Sequence, residues 1–87
     1  MEQQVVIELM QLLGSKSIDF TGNPVKVKMS PHTPPVVMTH IKQDNRAVIV
    51  EANGKEVPFT ELSIEAKQTI GQRLRLMLAE VSTKSLK

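Results

Sequence analysis

The chain has no cysteine, no tryptophan and no tyrosine, and Phe20 and Phe59 are its only aromatic residues. Without thiols there is no disulfide framework and no thiolate nucleophile, so a stapled secreted scaffold is excluded. The shortage of aromatics removes the stacking platforms that hold single-stranded nucleic acid. No apolar run approaches the roughly 18–20 residues that span a bilayer. Acidic Glu2 and Glu8 stand where a signal peptide has its basic start, so the expected location is the cytoplasm. Charge of one sign is scarce too. Eleven basic residues against nine acidic ones give +2 and a pI near 9.2, with no block of either sign.

What is present suffices for one domain, 1–87, with a flexible tail expected from about residue 83. A chain of this length hides only about 60–65% of its unfolded surface. Its core must be aliphatic and its stability modest, so burial against a partner chain would help.

The organising stretch runs from Ala47 to Ser82 as strand, turn, strand and helix. Asn53-Gly54 between two alternating apolar runs is the strongest short-range hairpin signal, because a type I′ turn needs two positive φ angles. The two-residue loop fixes the register: Ala52 faces Lys55, Val50 faces Val57 and Val48 faces Phe59. Val48, Val50, Val57 and Phe59 then form a core face.

Upstream, Glu2 to Leu13 reads as a helix whose apolar stripe spares only Gln4, Glu8 and Gln11, and Gly14 supplies the stop. Two short strands follow, one around Ile18 and Phe20 and one over Val25 to Met29, separated by the turn Thr21-Gly22-Asn23-Pro24. Ser30 to Pro35 must be a loop, since three prolines fix φ and remove donors. It holds a minimal P-x-x-P, Pro31 to Pro34, and two hydroxyls that precede proline, Ser30 and Thr33. Val36 to Lys42 is the third strand. With Asp44-Asn45 as its loop, Ile41 faces Val48, Thr39 faces Val50 and Val37 faces Ala52. The opposite face would then carry Val36, Met38, His40, Ile49, Glu51, Glu56 and Pro58. The last helix starts near Ser63, a favoured N-cap, with Glu61 and Glu65 near the positive end of its dipole. Leu62, Ala66, Ile70, Leu74, Met77, Leu78 and Val81 form its buried stripe, and Arg73 falls inside that stripe. The helix is expected to fray from Ser82.

The pattern predicts an α+β domain of two layers: helix, two short strands, proline loop, three-stranded antiparallel meander and C-terminal helix. Both helices are expected on the Val48/Val57 face; in the alternative, the first helix covers the Met38/His40/Ile49 face.

Motifs for chemistry are missing. There is no G-x-G-x-x-G, P-loop, H-E-x-x-H or cysteine–histidine metal spacing. The one constellation is His40 with Glu51 and Glu56 on the outer face, read as a solvated cluster in which His40 offsets two facing carboxylates. No catalytic residue, metal ligand, cofactor or small-molecule substrate is assigned, and the chain is expected not to be an enzyme. The leading expectation is a small protein-interaction module that self-associates or holds a protein partner. Its interface would draw on Ile7, Met10, Val36, Met38 and Ile49, with Ile7 or Met38 buried between chains of a homodimer. The alternative is a basic nucleic-acid-binding domain contacting through Lys26, Lys28, Lys42, Arg46 and Lys55, which requires these cations to converge on one surface.

Overall fold

A computed structural model describes residues 3–30, 32–45, 47–52 and 54–85, with the side chains of 82–85 outside the description. Glu2, Pro31, Arg46 and Asn53, to which the sequence gives roles, lie outside the described residues. The element order is α1 (Gln3–Leu12), β1 (Ser17–Asp19), β2 (Val25–Val27), β3 (Val36–Asp44), β4 (Ala47–Ala52), β5 (Lys55–Pro58), a 3-10 turn (Phe59–Glu61) and α2 (Ile64–Ser85). This is the α+β arrangement expected from the sequence.

Helix α1 ends as its glycine dictates. Gly14 has φ 74°, its amide bonds the Gln11 carbonyl at 2.9 Å, and the Ser15 amide reaches back to Met10 at 3.2 Å. That pair of bonds is a Schellman closure, which satisfies carbonyls that the last turn leaves without partners. Ser63 caps α2 at the other end of the chain: its hydroxyl accepts the Ala66 amide at 3.1 Å and donates to the Lys28 carbonyl at 2.6 Å. One side chain therefore starts the long helix and ties it to the segment after β2.

All strand pairs are antiparallel. β1 and β2 lie along the same edge of β3, in the order β1-β3-β4-β5 with β2 also on β3. Together they behave as one strand broken by the excursion from Phe20 to Pro24. The β4/β5 hairpin has the expected register, Val50 opposite Val57 and Ala52 opposite Lys55, with Gly54 at φ 82°.

The β3/β4 hairpin differs from expectation. Its pairing closes at Asp44 with Ala47, so the loop is one residue further on, and Asn45 takes the positive φ of 47°. Asparagine tolerates the left-handed region better than most residues, which favours it as the first loop position. Ile41 consequently faces Val50, not Val48.

A second difference follows at Thr39, where the register shifts between Met38 and His40. The extra residue is a β-bulge, and one extra residue exchanges the faces of everything beyond it. Met38 therefore turns inward and is fully buried, Val36 packs against the core, and Val37 is exposed. The sequence pattern places all three on the opposite faces.

Both helices cover one face of the sheet. Val6, Ile7, Leu9 and Met10 of α1 share a single core with Met38, Ile41, Val48, Val50 and Phe59 of the sheet side and with Ala66, Ile70 and Leu74 of α2. No helix among the described residues is long and apolar enough to cross a membrane.

Candidate functional site

Two surfaces carry clustered chemistry. The first is the open face of the sheet. Strand pairing sets Asp19, His40, Glu51 and Glu56 in one row, each opposite the next on the neighbouring strand. His40 Nε2 lies 3.4 Å from Asp19 Oδ1 and Nδ1 lies 3.6 Å from Glu51 Oε2, while Thr39 Oγ1 is 2.9 Å from Nδ1. Lys42, in the next row, reaches Glu56 Oε2 at 2.8 Å. The sequence puts His40 diagonal to Glu51; the shifted hairpin register puts it directly opposite.

The electrostatics of the row are local. The Thr21 hydroxyl and amide both donate to Asp19 and hold its carboxyl below the ordinary carboxylate range. The hydrogen bond from Lys42 to Glu56 holds the ammonium above its ordinary value. Among the described residues no group of three His, Cys, Asp or Glu side chains is set to hold a metal ion. The row is solvated, with its side chains between 37% and 65% exposed.

The second surface is a cleft of about 440 Å³ between α2 and the excursion that separates β1 from β2. Phe20, Leu76 and Met77 supply its apolar wall, and Asp19 and Glu80 stand at its rim. Arg73 also lines it, but its cation is already used. Nη1 donates to the Asn23 carbonyl at 2.7 Å, and the guanidinium sits 5.6 Å from the centre of the Phe20 ring. The arginine inside the helix stripe thus snorkels to a backbone carbonyl and an aromatic face, with no carboxylate needed.

The residues expected to form an interface separate. Ile7, Met10 and Met38 are buried in the chain's own core, so an interface cannot use them without opening the fold. The cause is that the sheet and α2 together cover the broad apolar face of α1, while the bulge turns Met38 inward. Val36 is partly buried against the core, and Ile49 remains half-buried on the open face.

The lysines expected to contact nucleic acid do not converge. Lys26 and Lys42 lie on the open face, beside the acidic row. Lys55 faces Ala52, which belongs to the helix-covered side, and Lys28 follows β2. Arg46 lies outside the described residues. Sequence reasoning missed Asp19 as a neighbour of His40 and missed the cleft altogether. Both arise from contacts across the fold, with Arg73 bonded to a residue fifty positions away. No protein-family model, curated protein or solved structure matches this chain.

Proposed function

We propose that the protein is a small non-enzymatic interaction module that associates with itself through the second half of α2. The observation that carries this reading is the exposure of that half. Ala66, Ile70 and Leu74 are fully buried, yet Leu76 is 63% exposed and Val81 50% exposed on the same continuous helix. Met77 and Leu78 pack only partly against the core. Exposed apolar side chains gathered on one element, next to an apolar-walled cleft, are a recurring mark of protein contact surfaces.

The reading is tested by light scattering on the full chain between micromolar and millimolar concentration. The expected mass is about twice that of one chain. Leu76→Glu should return it toward a single chain without lowering the thermal midpoint by more than a few degrees, because the residue lies outside the core. A chain that stays monomeric throughout that range removes the reading.

A further inference from the structure

We propose that the exposed face of α2 around Leu76 packs against the same face of a second copy of this chain, with the two helices parallel. This rests on the self-association reading above and names its surface and orientation. The helical period first defines the surface. At about 100° per residue, Gln72, Leu76 and Ala79 fall along one line of the helix. Ala66, Ile70 and Leu74, which hold α2 to its own core, lie roughly 150° round from that line on the same count. Exposure agrees, since the first three residues are exposed and the other three fully buried. The helix thus has a second contact line that its own fold leaves open.

Two charges of opposite sign flank this line. Arg75 lies about 70° to one side of it and Glu80 about 70° to the other. Both are exposed, and neither enters an ion pair among the described residues. In heptad terms Leu76 is a, Gln72 and Ala79 are d, Arg75 is g and Glu80 is e. In a parallel two-stranded pair, each g side chain meets the following e side chain of the partner. Arg75 then meets the partner's Glu80, and the two-fold axis repeats the contact. An antiparallel pair brings like flanks together, Arg75 beside Arg75 and Glu80 beside Glu80. Charge therefore selects the parallel arrangement.

Shape points the same way. A knob at position a enters a hole formed by four residues of the facing helix. For Leu76 these are Gln72, Arg75, Leu76 and Ala79 of the second copy, and the surface of α2 has a hollow lined by Gln72, Arg75 and Leu76. The small side chain of Ala79 lets the two backbones approach. Glu65, also exposed, lies on the same line near the start of α2, where two copies repel. The contact is accordingly confined to the second half of the helix.

Charge exchange in the full chain tests the pairing. Arg75→Glu and Glu80→Arg should each weaken self-association by about tenfold or more, because like charges then meet on both sides of the pair. Combining the two in one chain should return affinity to within about threefold of the unaltered protein, since both ion pairs re-form with their signs exchanged. Orientation has its own readout. The chain has no cysteine, so Ala79→Cys introduces a single thiol, and mild oxidation should link two copies because a parallel two-fold sets position 79 against itself. A dimer that Leu76→Glu dissociates but that neither reversal weakens overturns the proposal and leaves the self-association reading intact. The same holds if the combined variant fails to recover or Ala79→Cys fails to cross-link. A chain monomeric at every concentration removes both.

Discussion

The two halves of α2 are built from similar residues and meet different fates. From Ala66 to Leu74 the apolar stripe is buried on the sheet; beyond it, Met77 and Leu78 are half covered and Val81 is 50% exposed. Sequence periodicity runs through both halves without a break. The difference lies in what is underneath. A helix of 22 residues is about 33 Å long, and among the described residues its backbone packs closely only on α1 and on β2, a strand of three residues. Helix length is set by capping and propensity, sheet width and strand length by turns, and nothing forces the two to agree. An amphipathic stripe states what a helix can bury. The partner surface decides what it does bury.

The contrast is broken most directly at its boundary. Leu74→Ala should cost about 2–5 kcal/mol, because it opens a cavity in a fully buried site. Leu76→Ala, two residues on, should stay within about 0.5 kcal/mol. Urea midpoints compare them, and equal losses would show that Leu76 is packed as tightly as Leu74. Gly54→Val comes next, at roughly 1–2 kcal/mol, since a β-branched side chain tolerates positive φ poorly. It loosens the hairpin on which the first half of α2 rests. Unchanged stability would mean that this turn does not fix the sheet.

Ser63→Ala should cost about 1 kcal/mol through the lost cap. Hydrogen exchange should quicken at amides 64–67 and stay unchanged near Leu78, which sharpens the distinction between the halves. The smallest effect belongs to Asp19, at the rim of the cleft. Its carboxyl titrates below the ordinary range, so its contribution is present above that range and is lost as pH falls through the lowered value. Because the group is exposed, the effect on stability is small. Thr21→Ala should raise its titration midpoint toward the ordinary carboxylate value, seen in its side-chain carbonyl resonance.

Much of the fold was legible because local rules and global packing agree. Gly14, Ser63 and the Gly54 turn each act where their chemistry predicts, and the Val50–Val57 register follows from loop length alone. The errors came from two one-residue shifts. Between Asp44 and Asn45 the turn chemistry allows two loops, and the pairing chose the later one. The bulge at Thr39 has no signal in alternation, since Val36-Val37-Met38 offers an apolar residue to either face. The site was less legible for a different reason. Asp19 meets His40 only through strand pairing, and the cleft exists only because a helix and a loop far apart in sequence come together.

The broken edge beside β3 has a further consequence, for solubility. An unbroken strand from Ser17 to Val27 would present a long ladder of unpaired amides and carbonyls, open to pairing with any extended chain. Here that border is split into two pieces of three residues, with the Phe20–Pro24 excursion between them and Lys26 on its outer side. The opposite border, β5, is four residues long and ends in Pro58, which has no amide to donate. Short pieces, an exposed lysine and a proline are the devices by which sheets resist growing sideways into aggregates. A molecule guarded at both borders can be held at high concentration without strand-by-strand polymerisation, which leaves its helix free to choose partners by side chain.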